Sequence, residues 1–151
     1  MKGLGDDSDV LTGAKPALID TGPLVAYLNR ADHHHRWAKF RLAELSPPLL
    51  TCESVLAEAC FILAKYTGGQ AAVLELVRRG AVQIGFNLQQ EIEPVSRLMA
   101  RYANVPISLA DASLVRMSEI FADSPVLTLD SDFRIYRRNG RQAIPVIIPD
   151  P

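Results

Sequence analysis

Short apolar runs alternate along this chain with stretches whose apolar residues recur every three or four positions. Ala17-Leu18-Ile19 is the first run and reads as a buried strand ending at Asp20. Thr21-Gly22-Pro23 then gives a turn-and-helix signal, with a short helix expected over 24–29. Ala31-Asp32-His33 breaks it, and a second helix is expected over 34–45, offering Trp37, Phe40 and Leu45 to the core. Pro47-Pro48 ends that segment, and Leu49-Leu50-Thr51 is a second strand. A helical period over 52–66 stops at Gly68-Gly69, and 70–79 is helical again. The pattern continues with a strand over 81–86, a helix over 89–102, an amphipathic helix over 108–121 and a strand over 126–129. A last strand over 144–148 contains Pro145, which suits only a sheet edge. Short apolar strands separated by helices imply parallel pairing, and so a three-layer α/β/α domain.

At 151 residues the chain is long enough for one domain with a real core, expected over 16–151. Residues 1–15 read as a flexible leader, without the apolar core of a signal peptide. A hydrophobic content of 48% beside 22% charged residues is that of a folded globular protein. No apolar run approaches the ~20 residues that span a bilayer. With two cysteines, Cys52 and Cys60, expected ~12 Å apart along one helix, no disulfide is expected, and the reading is cytoplasmic. The formal net charge of −1 gives no overall attraction to polyanions. Contact with nucleic acid then needs a local basic patch or a metal bridge to phosphate.

Carboxylates supply the candidate chemistry. Ligands of open parallel sheets bind beyond the carboxyl ends of the strands. Asp20 and Asp130 fall there, with Asp132 two residues on, although an Asp after a strand is equally well a turn or cap residue. Glu58 shares its helix face with Ser54, Val55, Phe61 and Ile62, and is expected to point with the apolar stripe. Asp111 shares a face with Ile107, Leu114 and Val115, but also completes a capping box with Ser108. Either acid alone reads equally well as structural. Together with the strand-end aspartates they imply one cleft whose charges coexist only around a cation. An all-oxygen ligand set selects Mg²⁺ or Mn²⁺, and such a site suits phosphodiester hydrolysis.

Four segments resemble the PIN-domain family and, within it, the VapC toxins of toxin–antitoxin modules. They are Ile19-Asp20-Thr21-Gly22-Pro23-Leu24, Thr51 with Val55-Leu56-Ala57-Glu58, Ser108-Leu109-Ala110-Asp111-Ala112, and Val126-Leu127-Thr128-Leu129-Asp130-Ser131-Asp132-Phe133. The resemblance runs from about residue 17 to residue 148 and implies a parallel sheet of order 3-2-1-4-5. It implies that Asp20, Glu58, Asp111 and Asp130 bind the metal and carry catalysis, with Asp132 a further ligand or neighbour. Thr21 and Thr128 would support the acids. The activity implied is Mg²⁺- or Mn²⁺-dependent cleavage of single-stranded RNA, leaving 5′-phosphate and 3′-hydroxyl ends. The implied partners are an RNA substrate, a second copy of the chain and a small antitoxin.

Other features are weaker signals. His33-His34-His35 is expected to be a helix start with exposed imidazoles, because adjacent side chains diverge too far to share one ion. Arg134, Arg137, Arg138 and Arg141 surround Tyr136 and read either as a solvated helical face or as RNA contacts. In the second reading Arg134 and Arg137 hold phosphate and Tyr136 stacks on a base. A phosphatase of the haloacid-dehalogenase type also places an Asp after its first strand, but Gly22 stands where its second acid would be. A phosphoacceptor receiver domain would need paired acids and a late lysine that the sequence does not offer. A non-toxin RNA-processing nuclease and a catalytically silent binding module remain alternatives.

Overall fold

The computed structural model describes residues 15–151, so the expected leader, apart from Lys15, lies outside the described residues. The chain runs β1 (Leu18–Ile19), α1 (Thr21–Leu28), α2 (His35–Glu44), β2 (Leu49–Thr51), α3 (Glu53–Leu63), α4 (Gly69–Arg78) and β3 (Val82–Ile84). It continues with α5 (Ile92–Arg101), α6 (Leu109–Ile120), β4 (Val126–Leu127), a 3₁₀ turn (Ser131–Arg134), β5 (Arg137–Arg138), β6 (Gln142–Ala143) and β7 (Val146–Ile147).

The main sheet has the order β3-β2-β1-β4-β7, and every pairing in it is parallel. With β7 as its fifth strand, this is the 3-2-1-4-5 order that the sequence resemblance implies. Leu18 and Ile19 on β1 and Val126 and Leu127 on β4 are fully buried, as central strands covered by helices must be. Strand β7 pairs only with β4 and follows Pro145, so the proline costs no ladder bond. Helix α3 packs against α1, α4 and α6, and α6 packs on β1, which places α3 and α6 beside the carboxyl end of the central strand.

Several expected boundaries shift for local reasons. Helix α1 begins at Thr21 rather than 24, because Asp20 is its N-cap and accepts from the Thr21 N–H, while Pro23 in the first turn has no amide to satisfy. The strand expected over 81–86 shortens to β3, and the helix expected over 89–102 starts only at Ile92. Phe40, expected in the core, is 64% exposed on α2, while Trp37 and Leu45 do pack against the core. Arg134 ends the 3₁₀ turn and is exposed, and beyond it the arginine-rich segment forms no helical face. It is an antiparallel ribbon, β5–β6, turned through Asn139 and Gly140, both at positive φ.

Candidate active site

Asp20, Glu58, Asp111 and Asp130 line one cleft of about 610 Å³, together with Thr21, Gly22, Asp32, His34, Ile62 and Leu129. Each acid arrives from a different element. Asp20 leaves the end of β1, Glu58 lies one turn into α3, Asp111 is in the first turn of α6, and Asp130 caps the 3₁₀ turn after β4.

A hydrogen bond orients each of the four. The Thr128 hydroxyl donates to Asp20 Oδ2 at 2.7 Å, and the Thr21 amide donates to Asp20 Oδ1 at 2.8 Å. The Thr21 hydroxyl donates to Glu58 Oε2 at 2.9 Å. Tyr136 Oη donates to Asp111 Oδ2 at 3.2 Å, and the Asp132 amide donates to Asp130 Oδ1 at 2.9 Å. Thr128 Oγ1 also accepts from the Asp130 amide at 3.0 Å, so one buried hydroxyl ties two of the acids together. Such partners fix carboxylate orientation as they do around metal ligands generally.

Electrostatics at the cleft are unfavourable in isolation. Asp20 is only 6% exposed, and burial pushes its carboxyl up to about 6. The Thr128 and Thr21 hydrogen bonds oppose that rise, and the charges of Asp111 and Asp130 add to it. Burial likewise raises Asp111, helped by Asp130 and Glu58 and opposed by the Tyr136 hydroxyl and the Ser108 backbone. Burial first, then the Asp111 charge and its hydrogen bond, hold the Tyr136 phenol protonated far above its usual range. Among the described residues the ion pairs are Arg41–Glu44, Arg78–Glu75 and Arg116 with Glu91 and Glu119, none of which includes a cleft acid. The cleft thus concentrates negative charge without a protein counter-ion.

Three sequence expectations change here. Glu58 is exposed: of the stripe it shares, Val55 is buried in the core, but Phe61, 83% exposed, and Ile62, 43% exposed, face outward with it. Its desolvation cost is therefore small, and the costly burial falls on Asp20. Tyr136 is fully buried between Tyr102 and Phe133, so it cannot stack on a base; its hydroxyl holds Asp111 instead. Arg137 Nη1 is turned back onto the carbonyls of Arg134, Ile135 and Tyr136, and Arg138 onto those of Ser118 and Ala122, whereas Arg134 is exposed. Asp132 lies beside the cleft with its amide on Asp130 and does not line it. Ser108 caps α6 through its hydroxyl on the Asp111 amide at 3.0 Å, so the capping box and the cleft use the same residue.

The residues that sequence reasoning missed are Asp32 and His34, which reach the cleft from the loop before α2, and Tyr136 as the partner of Asp111. The Asp32-His33-His34 turn lies between α1 and α2, outside the motifs that carry the acids, and the packing of α2 against α1 sets its position. Cys52 and Cys60 are free thiols, as expected. Burial and the nearby Asp20 and Glu58 charges raise the Cys52 thiol, while the amides opening α3 oppose that rise.

In donor type the cleft fits a hard dication: its acids are all oxygen ligands, two of them lifted by burial, and none is neutralised by a base. Among the described residues, no three His, Cys, Asp or Glu side chains converge tightly enough to hold an ion as they stand. An ion shared by these acids would require them to draw closer together than they stand here.

Strand-end carboxylates around a parallel sheet of this order define a class, and the sequence comparison agrees with it. The chain belongs to the PIN-domain family, whose model matches residues 17–139. Within that family its likeness is to VapC proteins. It is 30% identical over 115 residues to Ribonuclease VapC26 of Mycobacterium tuberculosis, an alignment covering 75% of this chain and 85% of that one. The crystal structure of Mycobacterium tuberculosis VapC20, described as a sarcin-ricin loop cleaving toxin, shares the fold at a TM-score of 0.66 and 23% identity. That match covers 77% of this chain and 91% of VapC20.

Proposed function

We propose that this protein is a metal-dependent endoribonuclease that cuts single-stranded RNA and acts as the toxin of a toxin–antitoxin pair. The observation that carries the reading is the cleft itself, where four carboxylates from four elements are each oriented by a hydrogen bond and none is paired with a base. Membership of the PIN family and the likeness to Ribonuclease VapC26 support the same conclusion.

In this reading Asp20, Glu58, Asp111 and Asp130 hold Mg²⁺ or Mn²⁺. Bound there, the ion supplies charge neutralisation at the scissile phosphate and an acidified water. The protein's own contribution is positional. Thr128 locks Asp20 and the backbone of Asp130 to each other, Thr21 reaches across to Glu58, and Tyr136 fixes Asp111 from the buried side. Glu58 Oε1 and Asp130 Oδ2 have no protein donor among the described residues and are free to accept from water or bind an ion. Asp132 stays close enough to support Asp130 through its amide.

Purified protein should hydrolyse single-stranded RNA with Mg²⁺ or Mn²⁺ and leave 5′-phosphate ends. Cleavage that persists in EDTA, or 2′,3′-cyclic phosphate products, would refute the mechanism. The toxin reading rests on the relatives and on exposed apolar residues beside the cleft, Phe61 and Ile62, which suit a covering antitoxin or a second copy of the chain. Expression alone should then arrest growth of a bacterial host, and Asp20→Asn should relieve it. Equal arrest by the variant would mean the toxicity is not nuclease activity.

A further inference from the structure

The three consecutive histidines resolve into three different environments. His35 turns inward, its Nδ1 2.7 Å from the Ala26 carbonyl oxygen. His33 and His34 meet edge to face with ring centroids 4.7 Å apart, and of the three only His34 lines the acid cleft. Its position is built rather than incidental. Asp32 Oδ1 accepts from the His34 amide at 2.8 Å, and the Asp32 carbonyl accepts from the His35 amide at 3.0 Å.

Past His34 and Leu129 the cleft passes into a second depression of about 380 Å³, lined also by Ser131, Arg134, Ile148 and Pro149. The two depressions share His34 and Leu129 and so form one trough. The acids stand at one end of it, and no lysine or arginine lines that end. Arg134 is the basic side chain of the other end; among the described residues its exposed guanidinium has no hydrogen-bond or ion-pair partner. Asp150 also lines that end, so the trough is mixed in sign there.

We propose that this trough carries the RNA strand beside the cut, with the adjoining base stacked on the His34 ring and the next phosphate held by Arg134. The proposal rests on the ribonuclease reading above. A cleft rich in carboxylates repels the phosphates on either side of the one being cut, so the strand needs a fixed cation close by. Proteins that hold single strands combine such cations with flat rings on which any base can stack. His34 and Arg134 supply one of each, His34 lining both depressions and Arg134 the one beyond the acids, and each depression has the volume of an ordinary ligand pocket. Of the segment's other arginines, Arg137 was the second candidate for holding phosphate. Arg137 and Arg138 are spent on backbone carbonyls, and Arg141 lines neither depression.

The test uses an RNA with one cut site mapped on the wild-type protein, followed by steady-state kinetics over a range of salt. His34→Ala should raise KM about tenfold with little change in kcat, since losing a stacking ring weakens single-strand binding by about that factor. His34→Phe, which keeps a ring, should recover most of the loss. Arg134→Ala should raise KM and flatten the salt dependence of kcat/KM by about 0.7 in log–log slope, the value of one single-strand phosphate contact. Replacing the contacted phosphate by a neutral methylphosphonate should hurt the wild type and leave Arg134→Ala no worse. Arg97→Ala, on the exposed surface of α5, should change none of these. A wild type that cuts RNA, paired with variants whose KM and salt slope are unchanged, would overturn the trough and leave the ribonuclease reading standing. Failure of His34→Phe to recover would overturn the stacking role. A wild type that cuts no RNA under Mg²⁺ or Mn²⁺ would bring down both readings.

Discussion

Asp20 pays most for the arrangement of the cleft. Its carboxyl ionises near 3.8 in an unfolded chain and near 6 when folded, mainly because it is buried. Below about pH 3.8 it is protonated in both states and contributes nothing to the pH dependence of stability. Between the two values the folded state binds more protons than the unfolded, so stability falls as pH rises and the loss is complete above about 6. A shift of this size corresponds to roughly 3 kcal/mol when no ion is bound. Asp20→Asn should therefore melt higher than wild type in EDTA at pH 8, and the difference should vanish near pH 4. Saturating Mg²⁺ should remove the advantage at pH 8, because an ion bound only to the folded wild type stabilises it. An Asn variant that melts lower in EDTA at pH 8 would mean Asp20 is held by a protein charge.

Thr128 and Tyr136 act on the same acids from behind. Thr128→Val removes the donor to Asp20 Oδ2 and the acceptor for the Asp130 amide while keeping the side-chain volume. It should lower kcat by roughly tenfold to a hundredfold, the usual cost of losing a partner that orients a metal ligand. Unchanged kcat would show that the hydroxyl is only filling space. Asp20, Asp111, Asp130 and Thr128 were legible in the sequence because each stands in a short motif beside a strand or helix end, and Glu58, in the middle of α3, through the motif it forms with Val55-Leu56-Ala57. Tyr136 was legible only as an aromatic residue among arginines, and nothing in that pattern tells that a 3₁₀ turn folds its ring beneath Asp111. Glu58 misled in the opposite way: helical spacing gives the face, but not whether the partner of that face is core or solvent.

Among the elements, the joint between α3 and α4 leaves no room for a side chain at Gly69. A Cβ at Gly69 would stand 2.2 Å from the Leu63 carbonyl oxygen, so the chain can turn there only with glycine. Gly69→Ala should cost about 2–3 kcal/mol, as overpacking against fixed backbone does, and lower the urea midpoint. Because α3 carries Glu58, its displacement should also cost activity; a variant as stable as wild type would mean the joint is looser than the geometry implies. The sequence marked this stop correctly through Gly68-Gly69, as it marked most helices and all five strands of the main sheet. It did not show the β5–β6 ribbon, whose two-residue strands are too short for a period to register, and whose arginines look like a charged helix face. Arg138 there closes the end of α6 through the Ser118 and Ala122 carbonyls, which a charge count cannot reveal.

For the whole molecule, the parallel order β3-β2-β1-β4-β7 explains why residues from 20 to 130 meet at one place. The central strands β1 and β4 end side by side, and α3 and α6 pack together next to them. A formal net charge of −1 gives no overall attraction to RNA, so the proposed reading places that attraction in local features, an ion among the acids and Arg134 beyond His34. No helix of the described residues is long and apolar enough to cross a membrane.

The central claim is that the four acids close around a hard dication. The most direct measurement is anomalous diffraction from crystals soaked in Mn²⁺. The account predicts a peak within ligand distance of carboxylate oxygens from Asp20, Asp111 and Asp130, with Glu58 bound directly or through water. No peak there at saturating Mn²⁺, or a peak held by residues outside this cleft, would contradict it.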